Sequence, residues 1–493
     1  MDDPIEDLEL GEKRLCSHCV GDRFLQSEIR NRGVEGTCSY CGDLWRTFTI
    51  EVMADEVQTA LDEHYRLASS EPTPWQEAML REGDLDFFEP DGEPIATLIE
   101  SFAGIPPAAA SDIREYLSES KAGAERARLE ESDPFDEEAH YLETEVSDSG
   151  LWAGWDSFED TIKKKARYCS RTTERTLHEI FGEISGHRTA DGRPVIFKAG
   201  PGHRLIKLFR ARVFQSPQKL KQALESPDNE LGPPPTHFAT AGRMNSRGIA
   251  VFYGATQPLT ALAEVRPPVG SSVAVALFEI TRPLQLLDID ALQTLNAKGS
   301  VFDPAFKDRL QKAAFLKRLS YRMTRPVMPD DEPFEYLATQ VIADYLANDS
   351  EIPLDGLIYR SVQRSKGQKN VVLFHKAARV APVDLPTGTK VSARLSDGDD
   401  DGWGPTYHVW EEAPAIAPPD PIPPRRISTL MYVPPPELSE YDDRETTLRL
   451  DLTALKVYHV RGISFEKQAF PVQRLRTTVT TPASPADDVD FPF

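Results

Sequence analysis

From about Ile50 to Ile184 apolar residues recur every three or four positions, in EVMADEVQTALDEHYRLA, PIATLIESFAGI and FEDTIKKKARYCSRTTERTLHEIFGEI. That is the period of helices that bury one face. Acidic, Pro-containing stretches, REGDLDFFEPDGEP and EESDPFDEE, separate them. From about Pro194 the pattern changes to short runs rich in β-branched and aromatic residues, KLFRARVF, GIAVFY, VAVALFEI, DGLIYRSV and NVVLFHKA, which predict strands. LTALAEV, FKDRLQKAAFLKRLSYRM and EYLATQVIADYLAN predict helices between them. Residues 194–386 therefore read as one mixed α/β domain behind an all-α domain over 51–193. Residues 387–493 read as an extension: an Asp-rich turn, the Pro-rich linker EEAPAIAPPDPIPPRR, one strand-like piece in TTLRLDLTALKVYHV and a polar tail.

Composition narrows the function. A chain of 493 residues exceeds what one core usually organises, so several folded units are expected. Asp and Glu outnumber Lys and Arg by 79 to 56, a net charge of −23. Such a chain repels a phosphate backbone at long range, leaving nucleic acid only a local basic patch, the helical run Lys163–Arg167. No apolar run reaches the roughly 18–20 residues of a membrane span. The start, MDDPIEDLELGEKR, carries neither a basic nor an apolar leader region, so a cytoplasmic protein without a membrane partner is expected.

Four of the five cysteines form two C-x-x-C pairs, Cys16 with Cys19 and Cys38 with Cys41, 18 residues apart. Each pair is a knuckle that aims two thiolates at one point, and two knuckles complete a tetrahedral, closed, structural zinc site within residues 1–50. The fifth, Cys169, is expected to pack as a small apolar residue. DGDDDG, Asp397–Gly402, opens like a calcium loop, but its twelfth position is His408 where a bidentate Glu is needed, so it reads as a solvated acidic turn.

Two further constellations carry chemistry. Arg171 and His178 lie on one predicted helix with six residues between them, a spacing suited to acid–base work by His with Arg on a phosphate. Strand alternation in LFRARVF puts Phe209, Ala211 and Val213 on one face and Arg210 and Arg212 on the other, where two guanidiniums call for an anion. In GRMNSRGIAVFYGATQPLTALAEV, Gly242 and Gly248 mark turns, Ile249–Tyr253 reads as a strand and Pro258 as the first residue of a helix. Glu264 falls near that helix's C-terminal end, against the dipole, and needs a cation, a ligand hydroxyl or solvent.

The order Arg210, Arg243 in GRMN, Tyr253 in VFYGA, Glu264 in LTALAEV and Ser361 in DGLIYRSV, then NVVLF, resembles the RES domain over about Leu205 to Lys376. The paired C-x-x-C and the helices behind it resemble the HEPN-like N-terminal domain fused to RES domains, in which the Arg171–His178 spacing is that of HEPN-type ribonucleases. The resemblance implies an ADP-ribosyltransferase-like fold and a toxin-like enzyme that degrades NAD+ by hydrolysis or phosphorolysis, or else transfers ADP-ribose to a macromolecule. Arg243 with Arg210 or Arg212 would grip the pyrophosphate and Tyr253 would face nicotinamide. Glu264 would stabilise an oxocarbenium-like ribose, and Ser361 would position the ribose or the amide. The reaction itself needs no metal. An inhibitory antitoxin is the partner the resemblance implies; oligomeric state stays open, a homo-oligomer included. The other readings are a HEPN-type ribonuclease, with Arg171 and His178 at work, or an inactive RES-like part with the zinc–helical half as a binding or regulatory module.

Overall fold

The computed structural model describes residues 9–83, 87, 88, 90–119, 133–167, 170–348, 351–361, 363, 367–399, 402–414, 442–464, 468–472 and 474. Cys169, the tip of the Asp397–Gly402 turn, the Pro-rich linker and the tail after 474 lie outside them.

The N-terminal unit begins with a three-stranded antiparallel sheet in which β3 (Leu44–Thr49) lies between β1 (Arg14–Cys16) and β2 (Val34–Thr37). Helices Arg23–Arg32, Ile50–His64, Ile95–Ala103 and Pro107–Glu119 cover it, and a small sheet of β4 (Tyr65–Leu67), β5 (Glu93–Pro94) and β6 (His140–Glu143) closes one end. Leu15, Leu25, Ile29 and Phe48 share one core with Met53, Val57, Ile99 and Ile113. The knuckle and the helices are thus one body, because three short strands cannot bury a core of their own. The boundary expected at residue 50 is not a boundary between cores.

The second unit is built on an eight-stranded sheet in the order β16-β10-β8-β9-β13-β12-β11-β7. Its strands are β7 (Ile196–Ala199), β8 (Lys207–Phe214), β9 (Phe252–Ala255), β10 (Ser272–Ile280), β11 (Leu284–Asp288), β12 (Gly356–Arg360), β13 (Lys369–Leu373) and β16 (Leu448–His459). All neighbours are antiparallel except β11 and β12. One face packs on helices Ser149–Asp160, Arg171–Phe181, Phe306–Thr324 and Glu332–Asn348. The other packs on helix Pro217–Glu225 and a hairpin of β14 (Lys390–Asp399) and β15 (Gly402–Glu412).

Four sequence expectations are corrected here. Trp155, Phe158, Ile162, Leu177, Ile180 and Phe181, assigned above to the helical domain, are buried with Leu287, Phe315 and Val372 in the core of the second unit. Amphipathic periodicity shows that a helix has an apolar face and is silent on which sheet receives it. The long helix expected through Thr161–His178 is two: after Ser149–Asp160 comes a π-turn over Thr161–Lys165, and Ser170 caps a new start at Arg171 by accepting from the Thr173 amide. The strand expected at Ile249–Tyr253 begins only at Phe252, and β16, read as part of the extension, is an edge strand of the main sheet.

Candidate active site

A single register pair, Phe209 with Ala255, joins β8 to β9, so the sheet parts there. A cavity of about 240 Å3 occupies the opening, lined by Phe209, Arg210, Tyr253, Glu264, Tyr359 and Asn370 among others. Each polar group arrives from a different element: Arg210 from β8, Tyr253 from β9, Tyr359 from β12, Asn370 from β13 and Glu264 from the short helix Pro258–Glu264. Pro258 starts that helix, and the buried Thr260 hydroxyl bonds the Gln368 side chain, pinning it beside β13.

Glu264 Oε1 accepts from Ser361 Oγ at 2.6 Å and Asn370 Nδ2 at 2.8 Å. Both donors are buried and neutral, so the compensation that its place at a helix C-terminus demands comes from hydroxyl and amide; among the described residues no cation pairs with it. Oε2 has no hydrogen-bond partner among the described residues. Asn370 spends its Nδ2 on Glu264 and leaves Oδ1 buried and without a partner among the described residues. A buried acceptor without a donor is costly unless a ligand or water supplies one.

The expected cations part company. Arg210 lines the cavity, donates from Nη1 to the Tyr253 carbonyl at 3.0 Å and lies over the Phe252 ring at 5.2 Å. The guanidinium thus takes a carbonyl that the parted ladder leaves free. Burial, with Arg212 nearby, lowers its pKa to about 10. Arg212 is exposed and paired with Glu230 at 3.0 Å, which leaves Arg210 as the leading Arg of the cavity. Arg243 is not among the lining residues: its Nη1 and Nη2 donate to Met323 O and Arg325 O at 2.9 and 2.8 Å, and it stacks on Tyr336 at 5.0 Å. It caps the C-terminal end of helix Phe306–Thr324, where a cation suits the dipole.

Tyr253 is also committed. Its hydroxyl donates to Asn245 Oδ1 at 2.8 Å and accepts from the Met244 amide at 3.1 Å, and burial pushes its pKa up to about 12. Asn245 Nδ2 in turn donates to the carbonyls of Thr240, Ser246 and Ile249. Gly242 is required here, since a Cβ would stand 2.6 Å from Tyr253 Oη and 2.7 Å from Asn245 Oδ1. Gly248, at φ 89°, makes the turn back toward β9.

Compared with known protein families, residues 207–395 match the RES domain and residues 31–176 match HEPN/RES N-terminal domain 1. The chain carries a RES domain behind a HEPN/RES N-terminal domain. No curated protein and no solved structure matched. The RES domain is a toxin-associated family linked to NAD+ use.

Within the RES domain, sequence reasoning placed Glu264, Ser361, Tyr253 and Arg210 in one neighbourhood but missed Asn370, Asn245 and Tyr359. Asn370 opens NVVLF and Asn245 closes GRMN, so the signal was a polar residue at the edge of each run. Tyr359 occupies a strand position indistinguishable from core, and burial raises its pKa.

In the N-terminal unit, Cys16, Cys19, Cys38 and Cys41 place their Sγ atoms within 4.8 Å of one another, with 3.7 Å between Cys16 and Cys41 and 3.9 Å between Cys19 and Cys38. Zn–S bonds of about 2.3 Å in a tetrahedron put sulfurs roughly 3.8 Å apart, so the cluster fits zinc. The lysines of the expected basic patch are paired: Lys163 with Glu159 and Glu335, and Lys164 and Lys165 with Asp160. His178 Nδ1 faces the Tyr345 hydroxyl at 3.4 Å. Among the described residues no helix is long and apolar enough to cross a membrane.

Proposed function

We propose that the RES domain cleaves the nicotinamide–ribose bond of NAD+, with the cavity at the parted strands as the active site. The observation that carries the reading is Glu264, held by Ser361 and Asn370 with one carboxylate oxygen and one amide oxygen left for a ligand. At about 240 Å3 the cavity is smaller than the roughly 300–1,000 Å3 of a site for a whole drug-sized ligand, so it suits the nicotinamide–ribose end of the dinucleotide.

The chemistry follows. When the C–N bond breaks, its electron pair leaves with nicotinamide, which becomes neutral, and positive charge gathers on the ribose. Glu264 Oε2 accepts a ribose hydroxyl and stabilises that charge, while Ser361 and Asn370 keep the carboxylate from rotating. Asn370 Oδ1 is the natural acceptor for the carboxamide or a second hydroxyl, and Tyr253 and Tyr359 offer aromatic walls. Arg210 is the cation on the lining of this cavity among the described residues. Gripping a pyrophosphate with Arg243 would sacrifice two charge-assisted bonds of about 1.5–3 kcal/mol each, so Arg243 is better read as positioning the turn that holds Tyr253. The same proposal includes the ADP-ribosyltransferase-like fold, a structural zinc on the four cysteines and an inhibitory antitoxin.

Incubation with NAD+ followed by chromatography tests the reading. Free ADP-ribose marks hydrolysis, ADP-ribose 1″-phosphate marks phosphorolysis, and labelled macromolecule marks transfer. Glu264→Gln should cut nicotinamide release about 100- to 1,000-fold with the melting temperature unchanged. Undiminished release by that folded variant, or no NAD+ loss at high protein concentration, would sink the proposal.

A further inference from the structure

A second cavity, of about 810 Å3, lies between helices Arg171–Phe181 and Glu332–Asn348 and the segment 241–247. We propose that it binds a nucleoside monophosphate. Four observations converge on that ligand. Arg167, Arg171 and Arg247 line it, all three are exposed, and among the described residues none has an ion-pair partner. In a chain with 79 acidic against 56 basic residues, three guanidiniums on one cavity lining with no carboxylate at ion-pair distance among the described residues are suited to a ligand anion. Their planar forks suit a phosphate.

The start of helix Arg171–Phe181 lies at the same place, with amides that favour negative charge. Within the first turn, Thr173 lines the cavity, is 8% exposed, and its buried hydroxyl has no hydrogen-bond partner among the described residues. A phosphate oxygen would supply the partner that the described residues do not. The remaining wall is apolar, with Ile162, Leu177, Leu337 and Val341 beside Tyr336, a surface for a flat base. Carboxylates of Glu174, Glu332 and Asp344 are also on the lining. They would repel a bare polyanion, and Glu174 and Glu332 can accept from the hydroxyl and amino groups that a nucleoside carries beside its phosphate.

The cavity also adjoins the segment that holds Tyr253. Gln340, on its lining, donates from Nε2 to the Gly242 carbonyl at 2.8 Å, and Tyr336, also on the lining, carries the Arg243 guanidinium. Occupancy would therefore bear on the turn whose Asn245 receives the Tyr253 hydroxyl. That coupling rests on the proposed NAD+ site; the binding itself does not.

The test is titration calorimetry of the full chain with AMP, and with adenosine and inorganic phosphate as separate arms. AMP is expected to bind, with adenosine and phosphate each at least tenfold weaker. Arg171→Ala combined with Arg247→Ala should weaken AMP at least tenfold, and Val341→Trp, which fills the cavity without touching a charge, should do the same. Glu264→Gln should bind AMP as the parent does, whether or not NAD+ is consumed. The proposal is overturned if AMP gives neither heat nor a melting shift at millimolar concentration, or if both cavity variants bind it unchanged. It is equally overturned if Glu264→Gln abolishes AMP binding, or if phosphate alone binds as tightly as AMP.

Discussion

At the scale of single residues, the Glu264 carboxylate is positioned by two donors of different weight. Ser361 is 3% exposed and Asn370 5% exposed, so neither bond is diluted by solvent. Asn370 also supplies the unpartnered Oδ1, which puts it at two points of contact with a ligand. Ser361→Ala removes one donor and leaves the other, and a fall in kcat on the order of tenfold with little change in KM is expected. Asn370→Leu removes the donor to Glu264 and the ligand acceptor together, and should lower kcat and raise KM, read from initial rates of nicotinamide release. Equal effects of the two variants on KM would show that Oδ1 meets no ligand. Gly242 offers a different lever. An alanine there must displace Tyr253 Oη or Asn245 Oδ1, an overpacking cost of about 1–3 kcal/mol, visible as a lower melting temperature in a variant that alters no charged group.

At the scale of elements, the strands and helices of the RES domain were largely legible, because KLFRARVF alternates, VAVALFEI is a short apolar run rich in β-branched residues and FKDRLQKAAFLKRLSYRM has helical spacing, and they match β8, β10 and helix Phe306–Thr324. The failures have physical causes. GIAVFY reads as a strand throughout, yet Ile249–Val251 are held by the Asn245 turn and by the His375 side chain on the Ala250 carbonyl, so the ladder starts at Phe252. The Thr161–His178 stretch keeps helical spacing across a break, because Ser170 can cap a new helix without disturbing the period. Arg243 was legible as a recurring Arg of the motif and illegible in its contacts, since the carbonyls of Met323 and Arg325 lie about eighty residues away. Arg243→Lys keeps the charge and loses the fork. It should destabilise the end of that helix, detected as faster amide exchange over residues 319–325.

At the scale of the whole molecule, the order of the two matched domains was readable, and the cores divide the chain elsewhere. Six large side chains from 149–181 lie in the RES core, so a fragment beginning at residue 194 would lose them all. Each such loss costs about 2–5 kcal/mol against a total stability of roughly 5–15 kcal/mol, and that fragment should not fold, whereas one beginning near residue 145 should. Circular dichroism of the two fragments separates the outcomes.

The N-terminal unit meets the RES domain at His64, a buried residue whose ring packs 5.6 Å from Phe306 at the start of helix Phe306–Thr324. Among the described residues its Nε2 has no hydrogen-bond partner, with Glu63 4.0 Å away, and burial lowers its pKa below the ordinary histidine value. The folded state therefore holds His64 neutral under conditions in which the unfolded chain would already bind a proton. Above about pH 6.5 both states are neutral and His64 adds no pH dependence; as pH falls below that value the unfolded chain takes up the proton first and stability declines. His187, also lowered by burial, acts in the same direction. The melting temperature should fall between pH 7.5 and pH 5.5, and His64→Gln, which cannot titrate, should flatten part of that slope. An identical slope in the variant would mean that the contact between the two units does not feel this proton.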